Sequence, residues 1–169
     1  MSLVVAIALF IAISVLVAIL NALRGRAALP YQRCDSLLTA AERSFYEALR
    51  LALGNAELVI FAKVRMWDLL CLPSGTPEAQ GHRNRVMCKH VDFVLCDRQR
   101  LQPLLVIELD DRSHERQDRR DRDAFVDAVF AAAQLPILHV PCRKSYAPKE
   151  LAQQIWPMLQ PQGTAATRR

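Results

Sequence analysis

The sequence has no paired cysteine spacing. Its five cysteines, Cys34, Cys71, Cys88, Cys96 and Cys142, are odd in number and scattered, which argues against a disulfide framework and suits a reducing compartment. It also lacks a zinc set. Cys88-x-His90 offers two donors where a structural zinc site takes four, and His82 and His90 have no convincing set of metal partners. No internal repeat recurs along the chain. A large excess of one charge is absent too: 22 Lys and Arg against 17 Asp and Glu give +5. That balance permits binding to anionic lipid or nucleic acid and requires neither.

What the chain does have is one long apolar run. From Leu3 to Leu20 every residue is apolar except Ser14. At about 1.5 Å per residue a helix of that length reaches roughly 27 Å, close to the ~30 Å of a bilayer's hydrocarbon core. The expectation is a transmembrane helix over 3–23. The rival is a cleaved signal peptide. No Lys or Arg precedes the run, it exceeds the usual apolar region of a signal, and Gly25-Arg26-Ala27 is a poor cleavage site. Arg24, Arg26 and Arg33 crowd the C-terminal flank, so the positive-inside rule puts the remainder in the cytoplasm. Small residues at four-residue spacing (Ala8 and Ala12; Ser14, Ala18 and Ala22) read as ordinary composition of such a helix.

A linker is expected over 24–36, a single domain over 37–159, and a disordered tail over 160–169, where Pro161, Gly163 and Arg168-Arg169 lie. The domain opens with a helix: Thr39 and Glu42 have capping-box spacing, Phe45, Leu49 and Leu53 share a face, and Gly54 stops it. Glu57–Arg65 (ELVIFAKVR) reads as a strand. Pro73–Arg85 reads as a loop, Val86–Leu95 as a second strand, and Leu104–Leu109 as a buried third strand after the Gln102-Pro103 turn. Glu115–Gln134 reads as a helix burying Phe125, Val126, Val129, Phe130 and Ala133. Leu135–Pro141 is a last strand, and Pro148 starts a final helix that Pro157 ends. The fold class is therefore α/β. The order helix, three strands, helix, strand makes the last helix and strand a crossover, so the central sheet is mixed and covered by helices.

Chemistry concentrates in Lys89-His90-Val91-Asp92-Phe93 and in Val106–His114. Side chains alternate along a strand, so Val106, Glu108 and Asp110 share a face. Glu108 stands where a strand leaves the core, an expensive place for a carboxylate without a cation. If Asp92 is on the adjacent strand, two or three carboxylates converge on a site for a hard divalent ion, magnesium or manganese. The plainer reading keeps these acids as helix caps or partners of arginine, with Asp111-Arg112-Ser113-His114 as the N-cap region of the next helix.

The string VDFVL, then LLVIELDDRSH, then a charged helix and LPILHVP, resembles the restriction-endonuclease-like PD-(D/E)xK superfamily. Within it the chain is similar to an uncharacterised bacterial family, domain of unknown function 2726, related to very-short-patch mismatch-repair endonucleases. The likeness runs from about Leu37 to Ile155. It implies a restriction-endonuclease-like core and a Mg2+-dependent nuclease that hydrolyses phosphodiester bonds of nucleic acid; with the helix expected over 3–23, that nuclease would be membrane-anchored. By position, Asp92 matches the first metal-binding aspartate and Glu108 the second acidic ligand. Glu42 matches a helix glutamate that assists the metal; its other reading is the helix cap. Asp110 stands where the common pattern has a lysine, and would add a ligand directly or through water. His114 matches a histidine that replaces that lysine in the mismatch-repair branch, as general acid or base. Lys89 reads as an exposed strand lysine, or as a displaced cation for the site.

The other candidates read as structural. Arg112, Arg116, Arg119, Arg120 and Arg122 alternate with acids, as a solvated salt-bridged face does, although Arg116, Arg119 and Arg120 share a side that would suit phosphates. Trp67 and Trp156 read as packing residues, and His139 as a core or edge residue of its strand. The alternative function is a nuclease-like module without catalysis that binds nucleic acid or a protein at the membrane; the missing lysine at Asp110 is its best argument. A phosphoacceptor receiver domain is rejected, because its acidic pair follows the first strand and several βα units come after it.

Overall fold

The structure, a computed structural model, describes residues 2–24, 29–110 and 117–159, without the side chains of residues 22–24 and 117–122. It divides into two units, Met1–Leu37 and Leu38–Arg169. His114 and the tail over 160–169 lie outside the described residues, as do the side chains of Arg112, Arg116, Arg119, Arg120 and Arg122.

The first unit holds one helix, α1 (Leu3–Arg24). Its span Leu3–Asn21 is long and apolar enough to cross a membrane, and no part of it is buried. The one polar residue of the run, Ser14, donates its hydroxyl to the Phe10 carbonyl at 2.9 Å, so it brings no unsatisfied group into that surface.

The second unit opens with α2 (Ala40–Leu53). The expected capping box is complete: the Thr39 hydroxyl accepts from the Glu42 amide, and a Glu42 carboxylate oxygen accepts from the Thr39 amide at 2.9 Å. Gly54 closes the helix at φ 57, a left-handed angle glycine adopts without strain. Then come β1 (Leu58–Arg65), the single turn α3 (Met66–Leu69), α4 (Ala79–Val86), β2 (His90–Asp97), β3 (Pro103–Asp110), α5 (Gln117–Ala132), β4 (Ile137–Pro141) and α6 (Pro148–Leu159).

The four strands form one mixed sheet in the order β1-β2-β3-β4. β1 with β2 and β2 with β3 are antiparallel; β3 with β4 is parallel, through the α5 crossover. Helices cover both faces. On one side α2 and α6 pack over Phe93, Leu95, Leu105, Ile107 and Val140. On the other, residues of α3, α4 and α5 pack over Val91, Val94, Cys96 and Val106. The expected α/β class and mixed sheet are present, and the expected elements follow in order, with α3 and α4 as an insertion between β1 and β2.

Four details differ from the sequence reading. The stretch read as a loop over Pro73–Arg85 contains most of α4, a helix without a capping side chain and with only Val86 buried. Val86 therefore ends a helix, and β2 starts at His90. Ala133 is exposed beyond the end of α5, where Gln134 turns the chain at φ 54. Pro157 lies inside α6. A proline so near a C-terminus forfeits one hydrogen bond, and Met158 and Leu159 hold the last turn by packing on the core.

Candidate active site at the parting of two strands

The site begins where a ladder stops. β2 and β3 pair from Cys96↔Pro103 to Phe93↔Ile107 and no further. The next residues on the two strands are Asp92 and Glu108. Asp92 turns its carboxylate into the gap, and its Oδ2 accepts the Leu109 amide at 2.9 Å. A side chain there does the work of the missing backbone acceptor. Glu108 lies half-buried beside it and shares a hydrogen bond with it. Burial, and then the neighbouring Asp92, push the Glu108 carboxyl up to about 8. The pair thus holds a proton across the neutral range.

A third element closes on this pair. Phe45 of α2 lies against Phe93 with ring centroids 5.3 Å apart. That contact sets Glu42, one turn earlier on the helix, near Asp92. Lys63 of β1 joins the two: its ammonium contacts Glu42 Oε1 and lies 3.4 Å from Asp92 Oδ1. Burial disfavours both charged groups. For Glu42, the bonds from Lys63 and the Thr39 amide outweigh it and hold the carboxyl below its usual range. For Lys63, Glu42 and then Asp92 outweigh it and raise the ammonium above its own. Glu42 is therefore both the helix cap and part of the acidic site, one oxygen for each.

Lys63 is at φ 56, in the left-handed region, inside a strand. That conformation costs a non-glycine residue roughly 1 kcal/mol or more. Its effect is visible in the packing. Ala62 faces the α2 side of the sheet and Val64 the opposite side, where strict alternation would put both on one face. Opposite Lys63 the same break occurs on β2, with Val91 on one side and Phe93 on the other. Both strands change phase at one level, and that level carries Lys63 and Asp92.

Asp110 is placed differently. Its Oδ1 lies 3.1 Å from Nδ1 of His139 on β4, and the other ring nitrogen, Nε2, lies 2.9 Å from Asp127 Oδ1 on α5. Two acceptors on two ring nitrogens call for the imidazolium, which alone can donate to both. Burial opposes that charge, but Asp127 and then Asp110 outweigh it and raise His139 above its ordinary value. The structure therefore sets Asp92 beside Glu108, joins Asp92 to Glu42 through Lys63, and holds Asp110 near Glu108 in a His139 clamp. His114 lies outside the described residues. Lys89 precedes β2 and is half-buried, so it is neither exposed nor a strand residue.

Lys63, His139 and Asp127 were missed as site residues. For Lys63 a signal existed: it is the one charged residue within an otherwise apolar stretch, Leu58–Val64. For Asp127 none did, since it is one acid among many in a charged helix.

Among the described residues no group of three or more His, Cys, Asp and Glu is placed to hold a metal ion. The Asp92–Glu108 pair offers two hard oxygen donors, a set that suits magnesium, which keeps most of its waters and takes one or two carboxylates.

No curated protein and no solved structure matched the chain. A family model described as Protein of unknown function (DUF2726) matches residues 34–158, which include every described member of the site. The chain belongs to the DUF2726 family of proteins of unknown function.

Proposed function

We propose that this protein is a membrane-anchored, magnesium-dependent nuclease of restriction-endonuclease-like fold, cleaving phosphodiester bonds of nucleic acid. The observation that carries the reading is the parting of β2 and β3 after Phe93↔Ile107, which leaves Asp92 and Glu108 side by side at an open strand end. Two carboxylates driven together so that one must keep a proton form a site that a divalent cation relieves. The element order and the parallel β3–β4 pair support the fold assignment.

Asp92 and Glu108 would hold the ion. When bound, magnesium supplies a Lewis acid that offsets phosphate charge and acidifies a water. The chain's own groups do the rest. Lys63 neutralises Glu42 and fixes Asp92 Oδ1, and Leu109 N–H fixes Oδ2, so Asp92 is held rigid. Glu108 carries the exchangeable proton of the pair. His139 holds Asp110 turned toward β4. His114, by its place in the sequence, is the remaining candidate acid or base.

The test uses the full chain in a non-ionic detergent with magnesium and labelled DNA and RNA. Cleavage that Asp92→Asn abolishes supports the reading; no cation binding and no cleavage of any nucleic acid sinks it. The anchor and its direction are tested separately. Cys34, Cys71, Cys88 and Cys142 are exposed, and an impermeant maleimide should reach them from the cytoplasmic side only. A mature chain shortened near residue 27 would make the helix a signal sequence instead.

One observation favours the second reading, a binding module without catalysis. Asp110, where a basic residue is common, is itself an acid and is engaged with His139.

A further inference from the structure

Helix α4 is short and polar, with Val86 its only buried residue. Its N-cap residue, Glu78, makes no capping bond. Eight such residues have little reason to stay helical unless partners hold them. The partners are aromatic rings. The Arg83 guanidinium lies over Trp67 at 5.1 Å, and the Arg85 guanidinium over Phe125 at 4.1 Å. Both arginines are exposed. A guanidinium has five N–H donors, so one held over a ring still has donors for an outside acceptor. A side chain already ordered in this way loses less entropy when it takes a phosphate.

The position of this helix matters as much as its charge. Arg65 pairs across the β1–β2 ladder with His90, two residues along from Lys63 on one strand and two before Asp92 on the other. The Met66 amide donates to the Lys89 carbonyl at 2.9 Å, and the Lys89 amide to the Val86 carbonyl at 3.0 Å. These bonds tie α4 to the end of the sheet that carries the acidic pair. Asp68, at the start of this insertion, is neutralised by a two-pronged bond from Arg65.

We propose that Arg83 and Arg85 on α4 form a phosphate-docking surface that holds the backbone of nucleic acid beside the Asp92–Glu108 pair. This rests on reading that pair as a phosphodiester-cleaving site. Nucleic acid fits the surface better than a lipid bilayer does. The rings that would enter a lipid interface, Trp67 and Phe125, are half-buried and capped by the guanidiniums, while the forked donors match phosphate oxygens.

The experiment measures binding, not cleavage. The full chain in non-ionic detergent with a chelator is titrated into fluorescent duplex DNA, single-stranded DNA and RNA at several salt concentrations. Arg83→Gln and Arg85→Gln should each weaken binding severalfold. Each should also lower the slope of log K against log salt by about 1, as loss of one phosphate contact does. Arg100→Gln, in the turn between β2 and β3, should change neither. Unchanged slopes in both arginine variants overturn the proposal, and if one variant unfolds the other decides. Equal losses on phosphatidylserine vesicles with none on nucleic acid also overturn it, in favour of a lipid surface. Asp92→Asn separates the two ideas. If it binds like the wild type and neither cleaves, the docking surface stands and the nuclease reading falls. If Asp92→Asn alone abolishes cleavage while the arginine variants bind normally, the reverse holds.

Discussion

Asp92, one residue past the last β2–β3 pair, accepts the Leu109 amide on its Oδ2 at 2.9 Å. The acid therefore finishes the ladder as well as charging the site. Asp92→Asn keeps a carbonyl oxygen for that amide and should cost about 1 kcal/mol or less. Asp92→Ala leaves the half-buried amide without its acceptor and should cost about 2 kcal/mol. In Asp92→Asn the Glu108 carboxyl should fall toward the ordinary range, because its main charged neighbour is gone. Denaturant melts and a carboxyl titration by NMR check both.

Lys63 carries the next prediction. In an ordinary strand glycine is less stable than alanine. At φ 56 the order should invert. Lys63→Gly loses the ion pairs and relieves the backbone, whereas Lys63→Ala loses the pairs and keeps the strain. Glycine should be the more stable of the two by about 1 kcal/mol. The pairs themselves add little, since the Lys63 side chain is 35 % exposed and solvent screens them. Urea melts of the two variants give the sign directly.

His139 gives a spectroscopic test. Its ring lies between Asp110 and Asp127, at 3.1 and 2.9 Å, and should titrate above the usual histidine range. Asp127→Asn and Asp110→Asn should each lower it, because each removes a hydrogen-bonded carboxylate from one ring nitrogen. A histidine raised in the folded state lends stability that is complete below pH ~6.5 and lost as pH rises through the folded value. An imidazole that titrates normally in the wild type would dissolve the clamp.

Local signals carried the elements that sequence reading recovered. The Thr39–Glu42 box and Gly54 bound α2, and Pro148 starts α6, as short-range chemistry dictates. The Asp92–Glu108 pairing was legible because two acids flank two apolar runs at matching strand ends. Elements that depend on tertiary contacts were not legible. α4 has its arginines over Trp67 and Phe125 and Val86 in the core, and nothing within Ala79–Val86 announces those contacts. The His139 clamp joins residues from β3, α5 and β4, and its histidine looks like any residue of an edge strand. Lys63 meets Glu42 from a left-handed kink, and no residue type forecasts such a kink at a lysine.

The last prediction concerns the proton on Glu108. Its carboxyl is raised from 4.5 to about 8, so between those values the folded chain keeps a proton that the unfolded chain has released. Stability should then fall as pH rises through that window, by up to about 1.4 kcal/mol per unit for a fully buried group and less for this partly solvated one. Glu108→Gln removes the charge that must form and should flatten this dependence, with a gain of roughly 4 °C in Tm at pH 8 in chelator. His139 declines in an overlapping window, so the slope that survives in Glu108→Gln should shrink again in Glu108→Gln with His139→Gln. Magnesium should act in the opposite direction. A cation competes with the proton for the same oxygens, so its stabilising shift should be larger at pH 8 than at pH 6 and absent in Glu108→Gln. A magnesium shift that is independent of pH and survives Glu108→Gln would place the ion elsewhere.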